Sequence, residues 1–150
     1  MWIDALLAYL HFTAIFTLFA FLAVETVLIR GALDAAAIRS LARADIFYFG
    51  AAIAVLVTGL LRLVFGAKGP DFYLQSWPIY VKISLVVVVA VMSVIPTLAF
   101  IRWRRYLDHD PAWQVPPMEQ SRMRRLIMVE LHLAGMIPVF AVIMARGLAL

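Results

Sequence analysis

Four apolar segments, each long enough to cross a lipid bilayer, constrain the fold of this 150-residue chain more than any other feature. They cover approximately residues 5–29, 46–65, 79–101 and 123–145. A hydrocarbon core of about 30 Å requires roughly 20 apolar residues, and a backbone in lipid must form its hydrogen bonds internally. The pattern therefore predicts an all-α, integral membrane four-helix bundle, with one transmembrane domain over residues 1–150.

Composition agrees with a membrane protein and excludes several other classes. Hydrophobic residues make up 65% of the chain and charged residues 15%, against about 45–50% and about 25% in soluble domains. The net charge of +4 comes from arginines beside apolar runs, which indicates membrane topology and no nucleic acid partner. Because the chain has no cysteine, disulfides, iron–sulfur clusters and thiolate metal sites are excluded.

The Lys and Arg residues are divided unequally between the two sides of the predicted bundle. Nine belong to the side of the first and third connections, and four lie on or near the opposite side. By the positive-inside rule the side with nine is cytoplasmic, so both termini face outward (N-out/C-out). We therefore expect a multi-pass protein of a bacterial inner (cytoplasmic) membrane, in contact with membrane lipid.

The two connections on the predicted inner side have different patterns. Asp34 is a suitable N-cap for a short helix to Arg43, and Ile38 and Leu41 share one side of it, which predicts a surface helix on the inner leaflet. The third connection, residues 102–122, is predicted to be an extended loop because it contains prolines. These prolines are Pro111, Pro116 and Pro117.

Two further patterns concern packing and depth. Gly50, Ala54 and Thr58 recur at four-residue spacing, which suits close helix contact within the bundle or in a dimer, and a homo-oligomer is expected. The four tryptophans fall at or near predicted span boundaries, where an aromatic belt is expected. These are Trp2, Trp77, Trp103 and Trp113.

Ionisable residues inside the spans are candidate functional residues, because each is costly to hold in lipid. His11, Arg62 and Lys82 lie at similar depth near the predicted outer side. His11 either forms a hydrogen bond to a neighbouring helix or serves as a metal ligand or proton relay. Arg62 and Lys82 either extend to the interface or form a cationic rim for carboxylates such as tetrapyrrole propionates. The functional alternative is a cofactor site for haem b, with His11 on the iron.

A second layer lies near the predicted inner side. It contains Glu25, Asp45, Glu130 and His132. Glu130 and His132 are two residues apart and so point roughly 200° from each other on a helix, which allows only one of them to face the bundle interior. Glu25 is expected either in an ion pair on the inner side, with Glu130, Arg30 or Arg125 nearby, or on a proton path.

Methionines flank His132 at helical spacing. Met128 and Met136 lie about one turn before and after it. Thioether and imidazole groups bind haem iron and Cu(I), so His132 and Met136 are candidate metal ligands, although methionines at this spacing also serve as packing residues.

The sequence resembles a family of short four-helix bacterial membrane proteins with a domain of unknown function. The similarity is carried by Leu10-His11 and by the segment from Val129-Glu-Leu-His132 through Pro138 to Met144-Ala-Arg-Gly147. The chain is more distantly similar to HemJ-type protoporphyrinogen oxidases and CopD-type copper-resistance proteins. That similarity is carried by Leu10-His11, Thr58-Gly59-Leu60, and Trp77 followed by Tyr80-Val-Lys82-Ile. The resemblance implies that His11 binds haem and that Lys82 belongs to the same motif.

Three functional hypotheses follow from these patterns. The first is a haem or other tetrapyrrole protein, for electron transfer or porphyrin oxidation with a quinone, which as an enzyme would be an oxidoreductase. The second is a copper or proton transport subunit that uses His132, Met128, Met136, Glu25 and Glu130. The third is a non-catalytic membrane partner protein.

Overall fold

Four long helices form the protein in the computed structural model, which describes residues 2–65, 75 and 77–146. They are α1 (Trp2–Leu28), α2 (Ala35–Phe65), α3 (Trp77–His109) and α4 (Pro117–Ala145). The described residues form no strand. Each helix is long and apolar enough to cross a membrane, which confirms the predicted all-α membrane four-helix bundle. The predicted second connection, with Lys68, falls mostly outside the described residues.

The helices pack in antiparallel neighbouring pairs. α1 packs mainly on α2 and α3 mainly on α4, while α2 contacts α3 and α1 contacts α4 less extensively. Each helix therefore packs against its neighbours along the chain, as short connections favour, and α4 closes the bundle by contacting α1. We call the end with the connections 29–34 and 110–116 the Arg-rich end, and the opposite end, which holds Trp2 and Arg146, the terminal end.

The sequence predicts a separate surface helix within the first connection, and this prediction is wrong. α2 continues from Ala35 to Phe65 without a break, a length of about 46 Å. Asp34 is its N-cap, as expected, and its Oδ1 accepts a hydrogen bond from the Ala37 amide at 2.8 Å. Ile38 and Leu41 are enclosed in the bundle core because neighbouring helices also project beyond the expected membrane span and cover them.

The third connection is also more helical than predicted. α3 continues to His109 and α4 begins at Pro117, so the loop is confined to residues 110–116. Pro117 occupies the first position of α4, where a missing amide proton costs nothing. Trp103, expected in an aromatic belt, is fully buried, since it lies on the part of α3 that packs inside the bundle.

Side-chain contacts join the two helix pairs at the Arg-rich end. The Gln120 side-chain amide on α4 donates hydrogen bonds to the carbonyls of Ile29 (3.0 Å) and Gly31 (2.9 Å), just after α1. An Arg30 guanidinium nitrogen lies 2.9 Å from the Met128 sulfur. The Gln120 hydrogen bonds satisfy carbonyl groups that a helix C-terminus leaves free. Together with the Arg30–Met128 contact they hold the end of α1 against α4.

Candidate functional site

His11 is the centre of the polar group near the terminal end. It is only 6% exposed, and its Nδ1 lies 2.9 Å from the Thr58 hydroxyl on α2. The Thr58 hydroxyl also lies 2.6 Å from the Ala54 carbonyl, to which it donates its one proton. Thr58 can therefore accept a hydrogen bond from Nδ1–H of His11, and the Val55 carbonyl is a further acceptor for the ring. In that tautomer Nε2 carries the lone pair.

Gly59 allows this close approach of α1 and α2. A Cβ atom at Gly59 would lie 3.3 Å from Cε1 of the His11 ring, which is closer than ordinary contact. Thr58 and Gly59 therefore form the part of α2 against which the imidazole ring of His11 packs. The predicted contact face is correct at Thr58, but Gly50 is exposed and a Cβ there would meet no atom within 4 Å.

Two cations lie within electrostatic range of His11, as the sequence predicts. They are Arg62 on α2 and Lys82 on α3, and they are also within range of each other. The Arg62 guanidinium carbon is 5.7 Å from the centre of the Phe12 ring, and its Nε is buried with no hydrogen-bond partner among the described residues. Among the described residues neither cation has a carboxylate within 4 Å. We call His11, Arg62 and Lys82 the His11 site.

Three buried carboxyl groups form a second polar group, towards the Arg-rich end. Glu25 on α1 and Glu130 on α4 are 2% exposed, and Asp45 on α2 is 5% exposed. The three lie within electrostatic range of one another. We call them the carboxyl cluster.

Each carboxyl group of the cluster has a different hydrogen-bonding state. Glu130 accepts a short hydrogen bond from the Tyr48 hydroxyl, and Ser93 lies beside Tyr48. Asp45 accepts a hydrogen bond from the Thr97 hydroxyl at 2.8 Å. Oε1 of Glu25 is buried, and no group in the part of the chain that the structure describes forms a hydrogen bond with it.

The expected ion pair of Glu25 is not formed. Within the described ranges, the nitrogen–oxygen ion pairs shorter than 4 Å are Arg39–Asp108 and Arg102–Glu119, and neither includes a member of the carboxyl cluster. Arg30, one expected partner, turns to the Met128 sulfur instead. The cluster is thus a set of three neighbouring acids in an apolar bundle, and no side chain in the described part of the chain forms an ion pair with them.

Glu130, and not His132, faces the bundle interior. His132 is exposed, and its Nδ1 lies 2.6 Å from the carbonyl of Met128 in its own helix. Met136 is 48% exposed on the same helix. No group of three His, Asp or Glu side chains in the described part of the chain is placed to hold a metal ion. The metal roles of His132 and Met136 stay predictions.

The sequence reasoning missed the hydroxyl groups that organise both sites. Tyr48 lies three residues after Asp45, and this spacing places both side chains on one face of α2. Thr58 lies seven residues before the end of α2 and His11 nine residues after the start of α1, so matched depth could have paired them. Thr97 lies on a different helix from its partner Asp45, and no spacing in the sequence indicates that the two meet.

Four apolar helices with ionisable groups enclosed between them define a multi-pass membrane protein with polar sites inside its bundle. The chain belongs to the family described as predicted membrane protein DUF2214, which matches residues 3–149. No curated protein and no solved structure matches the chain significantly. The distant similarity to HemJ-type and CopD-type proteins therefore stays a prediction.

Proposed function

We propose that this protein moves protons across a bacterial inner membrane, alone or coupled to a solute, and that Glu25, Asp45 and Glu130 bind the protons. The observation that carries the proposal is the burial of three carboxyl groups from three helices, with no Lys or Arg of the described residues within 4 Å. Such groups are expensive in a membrane unless they are neutralised, and they mark ion pathways and proton relays.

A proton explains the carboxyl cluster better than a metal ion. Hard cations such as Ca²⁺ require several oxygen ligands at about 2.3–2.6 Å, and the described residues include no such group of three acidic or imidazole side chains. Protons need no convergent ligands, since each binds one carboxyl oxygen. The neighbouring hydroxyls of Tyr48 and Thr97 supply hydrogen bonds that accommodate either protonation state.

One member of the cluster lies at an opening in the surface of the bundle. Asp45 lines a cleft between α2 and α3. The buried apolar core, which includes Leu22 and Trp103, extends on both sides of the cluster. Glu25 and His11 are fourteen residues apart on α1, or about 21 Å. The arrangement therefore makes Asp45 the group through which protons would enter the cluster.

The test is proton movement in vesicles that contain the purified protein and a pH-sensitive dye. We expect an imposed pH gradient to decay faster than in protein-free vesicles, and Glu25→Gln to abolish the difference. Asp110→Asn, which neutralises a carboxyl in the loop at the Arg-rich end, is the matched control and should behave as the unmodified protein. Equal decay for the unmodified protein and Glu25→Gln would contradict the proposal.

Infrared difference spectra provide a second readout that needs no transported solute. A protonated carboxyl group has a C=O stretching band that an ionised one lacks. We expect this band to change with pH in the unmodified protein, and to lose intensity in Glu25→Gln and Glu130→Gln but not in Asp110→Asn. A spectrum without a protonated carboxyl band at any pH that preserves the fold would rule out the cluster as the proton site.

A second candidate function, haem b binding, is favoured by the geometry of His11. Axial histidines of metal sites donate one ring N–H to a fixed acceptor and bind metal through the other nitrogen, and Thr58 is such an acceptor. Arg62 and Lys82 would suit the propionates. His132, the other predicted histidine ligand, is exposed on α4, and its ligand role stays a prediction. A bound haem would supply one-electron chemistry, with His11 as its only identified ligand.

An absorbance spectrum of protein purified after haem-replete expression tests this candidate. We expect a Soret band that is lost in His11→Ala and retained in His132→Ala. A colourless preparation that hemin does not change would exclude haem, while leaving the proton proposal to its own tests.

A further inference from the structure

The cleft between α2 and α3 has an apolar lower part. The whole cleft has a volume of about 470 Å³. Its lining residues on α3 run from Thr97 to Asp108, a distance of eleven residues or about 16 Å along the helix. Ile46, Phe49 and Ile101 line this lower part, and each is exposed to the surroundings of the bundle. Asp45 also lines it, with its carboxyl group hydrogen-bonded to Thr97. This lower part lies at the level of the predicted spans, so it faces the hydrocarbon of the membrane.

Arginines surround the mouth of the same cleft. Arg104 and Arg105 line it, and Arg104 also lines a second hollow of about 260 Å³, together with Arg39 and Arg43. Arg39 is paired with Asp108 at 3.2 Å. Within the described ranges, the other three have no carboxylate within ion-pair distance. Arg104 and Arg105 therefore border the apolar groove, and Arg43 lies in the adjoining hollow beside Arg104.

This order of charge and apolar surface matches an amphiphile with an anionic head. Guanidinium groups bind phosphate oxygens with paired hydrogen bonds, and basic residues beside a membrane span attract anionic lipid. A soluble phosphate would use the arginines but leave the apolar wall without a role. We propose that the cleft binds one anionic phospholipid, with its phosphate at Arg43, Arg104 and Arg105 and an acyl chain along Ile46, Phe49 and Ile101. This binding does not depend on proton movement.

Native mass spectrometry of the detergent-solubilised protein tests the proposal with phosphatidylglycerol and phosphatidylcholine as probes. We expect one phosphatidylglycerol to stay bound at concentrations where phosphatidylcholine does not. The double variant R43Q/R104Q should bind phosphatidylglycerol roughly 30-fold more weakly, since each surface arginine contributes about a fivefold factor. The matched control R122Q/R124Q removes two arginines of α4 at the same end and should bind as the unmodified protein does.

A variant that fills the groove separates the cleft from the general charge of this surface. Ile46→Trp keeps every arginine but occupies the apolar part, and it should also weaken phosphatidylglycerol binding. Full binding by Ile46→Trp, or equal loss in both arginine double variants, would overturn the proposal in favour of an unspecific basic surface. Displacement of the lipid by millimolar inorganic phosphate would overturn it in favour of a soluble anion. Gel filtration confirms that each variant is folded before its binding is compared.

Discussion

The two ends of the bundle hold their helices together in different ways. At the Arg-rich end, bulky side chains such as Phe100, Trp103 and Ile127 are completely enclosed. At the terminal end, large side chains such as Leu6 and Leu60 point away from the bundle, and α1 meets α2 through the His11–Thr58 hydrogen bond beside Gly59.

The difference has a physical origin in the solvent around each end. α2 and α3 extend beyond the length that a bilayer requires, so part of the Arg-rich end is outside the hydrocarbon, where water drives apolar side chains together. Inside lipid this driving force is absent, and helices associate through close packing of small residues and hydrogen bonds. Substitutions should therefore act through lost core volume at one end and through fit and hydrogen bonding at the other.

The largest effect is expected at Trp103. Trp103→Ala removes a fully buried indole from the Arg-rich core and should lower the free energy of unfolding by about 3–5 kcal/mol. The measurement is a denaturant titration in mixed micelles, with Trp2→Ala as control because Trp2 is 86% exposed. Similar losses for both variants would show that the Arg-rich core does not contribute more than the lipid-facing surface.

The next largest effect is expected at Tyr48. Tyr48→Phe removes the hydroxyl that donates to Glu130 and leaves a buried carboxyl group without its partner. We expect a loss of about 1–2 kcal/mol in the same titration. Tyr106→Phe is the control, since Tyr106 is 48% exposed. An equal response of the two tyrosine variants would mean that the Tyr48–Glu130 hydrogen bond adds no stability.

A smaller effect separates the two glycines of α2. Replacing a helical glycine by alanine favours the helix by about 1 kcal/mol, and Gly50→Ala should show this gain because its surroundings are open. At Gly59 the new methyl group would crowd the His11 ring, so Gly59→Ala should show no gain or a loss of about 1 kcal/mol. Melting temperatures of the two variants, compared in one detergent, test this prediction. Equal gains would show that the ring moves aside without cost.

The smallest effect is expected at His132. His132→Ala should change the free energy of unfolding by less than about 0.5 kcal/mol, because the side chain is exposed and bonds only within its own helix. A larger loss that depends on protein concentration would instead place His132 at a contact with a second copy of the chain.

Several features of the protein follow from the sequence because they depend on local properties. Length and hydropathy are sufficient for the four helices, since lipid leaves a spanning backbone few other structures. The N-cap at Asp34 and the opposite directions of Glu130 and His132 follow from helix geometry alone. The common depth of His11, Arg62 and Lys82 follows once the helices alternate in direction.

Other features required the tertiary structure, because they depend on which faces of different helices meet. The burial of Ile38, Leu41 and Trp103 depends on how far the neighbouring helices extend, and an apolar helix face alone does not distinguish lipid from a protein core. Glu130 and Asp45 form hydrogen bonds with a tyrosine and a threonine of other helices. Which side chains become partners depends on how each helix is rotated about its axis. The chain alone therefore determines a four-helix membrane protein with buried polar residues. Only the packed bundle decides that its three acids lie together, with no ion pair to any described Lys or Arg.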